Sequence, residues 1–322
     1  MKAIAVAGPT ASGKSALALE LARRYRGEII SCDSMQIYRK MDIGTAKPTA
    51  VEQKEIPHHL IDILDVGESY SAADYASDAA RVCDEVAARG ALPIICGGTG
   101  LYLEALRDSR FGCGSPGSDP EYRDSLRAIA ETEEGKLRLH AMLAEADPAS
   151  AEAIHPNNVK RVIRALEIHH LSSLPKSEWD ERSKVSEPLT RPDIDAFAIT
   201  FRDRELLYAR IERRIDLMIK EGLLDEIARL DSLGAFDADS TAAAAIGYKE
   251  LLPALRGEAE LSDCIIQLKT ATRRYAKRQT TWFAHREGIV TLYADEDGKM
   301  RSTESLADEI EKFLPYLEAR KG

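Results

Sequence analysis

The stretch Gly8-Pro9-Thr10-Ala11-Ser12-Gly13-Lys14-Ser15 decides the fold of this chain. It follows an apolar run at residues 2–7 and precedes residues 13–25, whose apolar side chains recur at helical spacing. A strand, a glycine loop ending in Gly-Lys-Ser and a helix together form a P-loop, in which backbone N–H groups surround phosphate oxygens. Lys14 adds a positive charge there, and the Ser15 hydroxyl is placed to ligate Mg²⁺. We therefore expect residues 8–15 to bind a diphosphate or nucleotide.

Strand and helix signals alternate along the chain around this loop. Strands are predicted at 2–7, 28–32, 91–96, 196–201 and 288–293. A helix is predicted over 71–89, with Ser71 as its N-cap. The alternation predicts an α/β fold of the P-loop NTPase type, a parallel sheet flanked by helices. Such sheets bind ligands beyond the carboxyl ends of their strands, where residues 8–15, 33–38 and 97–100 fall.

The middle of the chain breaks this alternation. Residues 107–120 are rich in glycine and proline, and residues 121–185 have a helical, strongly charged pattern with no clear strand. We expect a P-loop catalytic core made of residues 1–116 and 193–322, interrupted by a helical insertion domain at 117–192.

Composition and charge limit the function classes. The 322 residues carry a formal net charge of −10 and five cysteines without paired short spacing, which predicts neither a disulfide framework nor a zinc site. No apolar run is long enough for a membrane span, and a cytoplasmic location is the expectation. Local charge matters more than net charge for phosphate binding, and basic segments occur at 155–164, 202–214 and 269–278.

The third basic segment has the clearest pattern. Lys269, Arg273 and Lys277 recur every four residues, which predicts a continuous positive ridge on one helix face. A solvated helix face is the usual explanation of such a run, but this one contains no acidic residue. A surface that contacts nucleic-acid phosphates is at least as good an interpretation.

The acid that ATP chemistry needs is missing beside the P-loop. The strand at 91–96 ends in Gly97-Gly98, so Asp33 is the carboxylate predicted at a strand end near the loop. A kinase or ATPase would use such an acid to organise its metal ion. Asp33 is instead followed by polar groups and Tyr38, which suit a base or amine substrate, although capping of a helix start would also explain an aspartate there.

Eight stretches, in order along nearly the whole chain, match one enzyme family. They are GPTASGKS (8–15), DSMQIYRKMDIGTAKP (33–48), PHHLID (57–62), YSAADY (70–75), PIICGGTGLYLEAL (93–106), HPNNVKRVIRALEI (155–168), IGYKEL (246–251) and TRRYAKRQTTWF (272–283). With these stretches the chain closely resembles the bacterial tRNA dimethylallyltransferases, also called tRNA isopentenyltransferases. The P-loop by itself is widespread, whereas its combination with the run at 33–48 is highly specific.

The resemblance implies transfer of a dimethylallyl group from its diphosphate to N6 of adenosine 37 in the anticodon loop of tRNA. It implies that the P-loop holds the leaving diphosphate with Mg²⁺ at Ser15, and that Asp33 is the general base or a hydrogen-bond acceptor at N6. Thr10 would donate to the bridging oxygen, and Lys14 with an arginine of the 210–214 stretch, Arg210 or Arg214, would neutralise the departing charge.

The resemblance and the basic segments together predict the tRNA contacts, some of them in the insertion domain. The residues are Asp33, Ser34, Met35, Gln36, Thr99, Arg123, Lys160, Arg161, Val162, Ile163, Arg164, Ala244, Ala245, Ile246, Gly247, Tyr248, Lys249, Arg274, Lys277 and Arg278. We expect tRNA and dimethylallyl diphosphate as partners, no membrane, and a monomeric protein.

Three rival functions remain open on the sequence. A nucleotide-kinase type of phosphotransferase shares the P-loop but predicts a metal-organising acid. An adenylate isopentenyltransferase would prenylate free AMP or ADP, but the helical insertion favours a macromolecular acceptor. An RNA-binding module with a vestigial P-loop would have no use for Asp33.

Overall fold

The structure is a computed structural model that describes residues 1–108, 117–183, 191–236 and 242–320. It divides into two compact units. Unit 1 comprises Met1–Arg107 and Pro192–Gly322, and unit 2 comprises Asp108–Arg191. The expected domains had their boundaries at 116/117 and 192/193, and residues 109–116 lie outside the described part of the chain.

The chain forms these elements in order. The first part of unit 1 contains β1 (Lys2–Ala7), α1 (Lys14–Tyr25), β2 (Gly27–Ser31), α2 (Ala50–Glu55), β3 (His58–His59), α3 (Ala72–Ala88), β4 (Leu92–Gly97) and α4 (Gly100–Arg107). Unit 2 contains α5 (Pro120–Ile129), α6 (Glu133–Ala146), α7 (Pro148–Ala153), α8 (Val159–Ser172) and α9 (Lys176–Ser183). The second part of unit 1 contains β5 (Asp193–Thr200), α10 (Arg204–Lys220), α11 (Leu223–Ser232), α12 (Tyr248–Leu255), α13 (Leu261–Ala284), β6 (Ile289–Tyr293), β7 (Asp295–Glu296), β8 (Lys299–Met300), α14 (Thr303–Phe313) and a 3₁₀ helix (Pro315–Arg320).

Six parallel strands form the sheet of unit 1, in the order β3-β2-β4-β1-β5-β6. β1 lies between β4 and β5, with Val6 opposite Cys96 on one side and Phe197 on the other. The predicted α/β fold with a parallel sheet is therefore confirmed. Neither the two-residue edge strand β3 nor the β7–β8 hairpin was predicted, because runs of two residues carry no periodic signal.

Both faces of the sheet are buried, as a parallel sheet with helical crossovers requires. In β1 the side chains alternate, so that Ile4 and Val6 join one apolar cluster while Ala3 and Ala5 join the other. On the alanine side, Tyr75 of α3 is buried. The small side chains leave room for helices carrying large aromatic residues to pack on that face.

The start of α3 was also predicted. Ser71 accepts a hydrogen bond from Asp74 N–H, and the Asp74 carboxylate accepts one from Ser71 N–H, which is a complete capping box. The helix therefore starts where its first backbone donors are satisfied.

Unit 2 is built from α5 to α9 around an apolar core of its own, which includes Leu126, Leu139 and Leu166. In the described part of unit 2, Glu167 is a charged residue whose side chain has no surface exposed to solvent. The Glu167 carboxylate forms ion pairs with Arg123 at 2.7 Å and Arg164 at 2.5 Å. Across the described residues of both units, no helix is long and apolar enough to span a membrane.

Candidate active site

The P-loop joins β1 to α1 and has the backbone geometry that phosphate binding needs. Gly8 has a φ of 147° and Gly13 a φ of 96°, which are conformations that favour glycine. A Cβ on Gly8 would lie 2.8 Å from the carbonyl oxygen of Ile199 on β5, so this position has no room for a side chain. Gly13 caps α1, whose first N–H groups face into the loop and make a ready site for an anion.

Two polar side chains of the loop are suited to bind an anion. The Ser12 hydroxyl is buried and has no hydrogen-bond partner within the described part of the chain. Lys14 Nζ lies 3.3 Å from the carbonyl oxygen of Pro9. Burial lowers the pKa of Lys14, and the positive charge of Arg214 lowers it further, although Cys96 and Asp33 raise it. An anion at this point would restore the preference of Lys14 for its charged form.

Helix α10 presents two arginines to the loop, four residues apart and therefore on one face. Arg210 Nε donates to the carbonyl oxygen of Ala11 at 2.8 Å. Arg214 lines the cavity described below, and burial lowers its pKa while Asp33 raises it. Arg213 is exposed and is not among the described lining residues. The structure therefore distinguishes the surroundings of Arg210, Arg213 and Arg214, which their spacing in the sequence could not do.

Asp33 follows β2 at the carboxyl end of the sheet. Its Oδ1 accepts a hydrogen bond from Met35 N–H at 2.9 Å, and the next residue, Ser34, donates its N–H to Thr99 Oγ1 at 3.0 Å. Residues 34–37 form a turn, so Asp33 caps a turn rather than the helix considered as an alternative. One carboxylate oxygen fixes the local backbone, and the side chain also lines the cavity.

A cavity of about 450 Å³ in unit 1 brings these groups together. Its lining includes Thr10, Ala11, Lys14 and Ser15 of the P-loop, residues 33–36, residues 244–249, Arg214, and Leu268, Thr272, Tyr275, Arg278 and Gln279 of α13. Five parts of the chain that are distant in sequence therefore share one space. Thr99, Arg274 and Lys277 are not among the described lining residues.

Gln279 is one of the lining residues that the sequence did not predict. Its Oε1 accepts from Thr10 N–H and its Nε2 donates to the Gly98 carbonyl, both at 2.9 Å. It is buried, with 6% of its surface exposed. A polar amide among mostly apolar side chains on one face of a predicted helix could have indicated a structural role for Gln279. No local pattern, however, indicates that its partners are Thr10 and Gly98.

Several residues predicted to contact tRNA have partners within the protein. Gln36 Nε2 donates to the carbonyl oxygens of Thr45 and Ala46, at 3.3 and 3.2 Å. The fully buried Tyr248 donates its hydroxyl hydrogen to Glu226 at 2.7 Å. Val162 and Ile163 belong to the core of unit 2 and leave little side-chain surface for a ligand; their exposed fractions are 1% and 5%.

The positive ridge predicted on α13 is interrupted. Lys269 forms an ion pair with Asp216 of α10 at 2.7 Å, and Arg273 forms one with Glu212 of the same helix. Lys277 is exposed and makes no ion pair within the described residues. The sequence pattern could not reveal the two acids, because they lie on another helix.

The comparisons with known proteins agree on one family. The model of the IPP transferase family matches residues 36–286. The tRNA dimethylallyltransferase of Bacillus subtilis is 49% identical over 284 residues, 88% of each chain. The tRNA dimethylallyltransferase of Bacillus pumilus is 44% identical over 320 residues, 99% of this chain and 96% of that protein. The chain belongs to the IPP transferase family.

Solved structures give the same result. The tRNA isopentenylpyrophosphate transferase of Bacillus halodurans matches this IPP transferase with a TM-score of 0.68 and 41% identity, over 99% of this chain and 97% of that one. A eukaryotic dimethylallyltransferase acting on tRNA matches with a TM-score of 0.76 and 29% identity, over 97% of this chain and 79% of that one. The family resemblance and the transferase class predicted from the motifs are therefore confirmed.

The side chains available as metal ligands in this IPP transferase suit an ion that needs few of them. Among the described residues, no group of three or more His, Cys, Asp or Glu is placed to hold a metal ion. Mg²⁺ commonly takes one or two protein ligands and completes its shell with water and substrate phosphate oxygens. Ser15 lines the cavity and its hydroxyl fits a site of that kind, in which the diphosphate brings most of the ligands.

Proposed function

We propose that this IPP transferase moves a dimethylallyl group from dimethylallyl diphosphate to N6 of adenosine 37 in the anticodon loop of tRNA. The observation that carries the proposal is the cavity of unit 1, which is lined by the P-loop, Arg214 and Asp33. The names of its relatives support both tRNA as acceptor and dimethylallyl as the transferred group.

The P-loop would bind the leaving group. An allylic diphosphate departs when negative charge on its oxygens is stabilised, and preorganised donors do this efficiently. We assign this role to the backbone N–H groups of Gly13, Lys14 and Ser15 at the start of α1, to the Ser12 hydroxyl, and to the side chains of Lys14 and Arg214. Thr10 would donate to the bridging oxygen from its hydroxyl, since its N–H is already bonded to Gln279. Arg210 would add positive charge beside the loop, where its Nε holds the Ala11 carbonyl.

Asp33 would act on the acceptor. The bond between C1 of the dimethylallyl group and its diphosphate oxygen breaks, its electron pair leaves with the diphosphate, and C1 bonds to N6. An exocyclic amine of adenine is a poor nucleophile, so a carboxylate that takes its proton lowers the barrier. Since Oδ1 accepts from Met35 N–H, we assign the proton to Oδ2 of Asp33.

Mg²⁺, when bound with the diphosphate, would neutralise part of the charge on the leaving group. Ser15 would hold it through its hydroxyl. Lys14 and Arg214 would supply the remaining charge, which is why a site with few protein ligands suffices.

The acceptor adenosine must leave its stack to reach the cavity. Residues 244–249 and Arg278 line the cavity and would contact the extruded nucleotide. We assign Lys277 and Arg274 of unit 1, and Lys160 and Arg161 of unit 2, to the tRNA backbone. A tRNA substrate would place the protein in the cytoplasm.

The decisive experiment is to incubate the protein with dimethylallyl diphosphate, Mg²⁺ and unmodified tRNA, digest the tRNA and measure its nucleosides by mass spectrometry. A prenylated adenosine is the expected product. Parallel reactions with AMP as acceptor, and with labelled ATP as phosphoryl donor, test the two rival enzymes. ATP turnover without tRNA, or prenylation of AMP but not of tRNA, would refute the proposal.

A further inference from the structure

Glu226 of α11 is a buried carboxylate with four donors and no assigned role. Its Oε2 accepts from the N–H groups of Asp42 at 3.0 Å and Ile43 at 2.7 Å. Its Oε1 accepts from Gly44 N–H at 3.0 Å and from the Tyr248 hydroxyl at 2.7 Å. A carboxylate offers about four lone-pair sites, so this buried charge is fully satisfied. It holds three consecutive backbone amides in one orientation.

The segment that Glu226 holds is part of the cavity wall. Gly44, Thr45 and Ala46 line the cavity, whereas Glu226 is not among its described lining residues. Tyr248 also lines the cavity, so the same carboxylate fixes two wall segments that are far apart in sequence. Any effect of Glu226 on a bound substrate must therefore pass through these segments.

A chain of hydrogen bonds leads from that wall to the turn that carries Asp33. Gln36 Nε2 donates to the Thr45 and Ala46 carbonyls, immediately after the amides held by Glu226. Gln36 Oε1 accepts from the Ser31 hydroxyl at 2.9 Å. Asp33 lies between Ser31 and Gln36 in sequence. Both ends of its turn are therefore tied to the same wall.

We propose that Glu226 is a positioning residue for the transfer: through residues 42–46 and Gln36 it holds the turn in which Asp33 meets the acceptor. The inference rests on the proposed function, because it concerns the geometry of the proposed base. A displacement of about 1 Å at a reacting group can cost about 100-fold in rate, so a distant support of this kind has a measurable effect.

The contact of Gly44 with Tyr248 constrains the same wall from another side. A Cβ on Gly44 would lie 2.5 Å from the Tyr248 ring, so even an alanine would displace the segment. This contact gives a second way to move the wall without touching Glu226.

The test is Glu226→Gln in the full-length protein. The amide oxygen of the glutamine still accepts hydrogen bonds. Its NH₂ group would face backbone N–H donors and cannot accept from them, so some of the hydrogen bonds to residues 42–44 are lost. We expect the single-turnover rate at saturating donor and tRNA to fall about tenfold. Dissociation constants for tRNA and for the diphosphate should stay within about twofold. Amide hydrogen exchange should become faster at residues 33–36 as well as at 42–44.

Asp295→Asn is the matched control. Asp295 is also a buried carboxylate that accepts from backbone amides, those of Arg202 at 2.8 Å and Asp203 at 2.9 Å, and it does not figure among the lining residues. It should lose thermal stability while keeping the single-turnover rate and the exchange rates at 33–36.

Gly44→Ala supplies the second variant. We expect the same loss of rate, because its methyl group would push residues 42–46 away from the Tyr248 ring. An unchanged rate in Glu226→Gln, a loss explained by weaker tRNA binding, or unchanged exchange at 33–36 would overturn the positioning role while wild-type transfer stands. Absence of wild-type transfer would instead overturn the proposed function, and the positioning role with it.

Discussion

Gln279 on α13 joins the P-loop to the loop after β4. Thr10 donates its N–H to Gln279 Oε1, and Gln279 Nε2 donates to the Gly98 carbonyl, both at 2.9 Å. A Cβ on Gly98 would lie 2.3 Å from that nitrogen, so the glycine is needed for the contact. The shape of the P-loop in this transferase therefore depends on helix α13, whose Gln279 lies more than 250 residues after Thr10 in the sequence.

Replacing Gln279 with alanine should loosen the P-loop. The part-buried Thr10 N–H and the buried Gly98 carbonyl would both lose their partner, and a buried group left unsatisfied costs about 1–3 kcal/mol. We expect a lower urea midpoint and weaker binding of pyrophosphate in calorimetry. Gln267→Ala, at an exposed position of the same helix, should change neither. Equal behaviour of the two variants would contradict this account.

Asp33→Asn should slow transfer strongly and leave tRNA binding in place. The amide can keep the hydrogen bond from Met35 N–H through its oxygen, but it cannot take a proton from N6. General-base catalysis typically contributes about 10²–10⁴-fold, and the single-turnover rate should fall by that order. A filter-binding assay with unmodified tRNA should give an unchanged dissociation constant. A transfer rate equal to that of the wild type would show that Asp33 is not the general base.

Arg214 and Arg213 form a matched pair on α10. Arg214 lines the cavity and Arg213 is exposed away from its described lining. Hydrogen bonds to charged groups are worth about 1.5–3 kcal/mol, so Arg214→Ala should weaken pyrophosphate binding by roughly tenfold or more. Arg213→Ala should bind pyrophosphate as the wild type does. Calorimetric titration of both variants decides which arginine meets the diphosphate.

Substitutions of Lys277 and Lys269 test which lysines of α13 contact tRNA phosphates. Each Lys or Arg that neutralises a phosphate of single-stranded nucleic acid contributes about 0.7 to the slope of log K against log salt. Lys277→Ala should therefore weaken tRNA binding and reduce the slope by about that amount. Lys269→Ala should leave the slope unchanged, since Lys269 is paired with Asp216. A salt series of binding curves separates the two outcomes.

Glu167 should make unit 2 sensitive to acid. Burial raises the pKa of Glu167, but hydrogen bonds from Arg123, Arg164 and the Asp119 N–H outweigh burial, and the pKa is lowered. A carboxyl whose folded pKa is lowered adds stability above its unfolded pKa of about 4.3 and loses it as pH falls through the folded value.

Glu167→Gln should accordingly lower the free energy of unfolding at pH 7 by about 1–3 kcal/mol, because two arginines lose a charged acceptor. The difference from wild type should shrink below about pH 4. Urea unfolding of both proteins at several pH values measures this difference. A gap that stays constant with pH would show that the charge of Glu167 is not the cause.

The sequence predicted the local parts of this site. The P-loop, the start of α3 and the position of Asp33 after β2 all follow from short-range rules of chain geometry, and the structure contains them. The strands β1, β2, β4, β5 and β6 were predicted as well, because each is an apolar run bounded by turn residues. The edge strand β3 has only two residues and gave no such signal.

Only the tertiary structure decided which long-range partners these residues have. Gln279, Glu226 and the pairing of Lys269 with Asp216 depend on helices brought together by burial of the core, and a residue type or spacing carries no information about a neighbour far along the chain. Helical periodicity could not choose among three nearby arginines, whereas the packing of α10 on the P-loop could. The sequence by itself determined that a phosphate cradle and an acidic turn exist; the packing determined that they share one cavity and which residues hold them there.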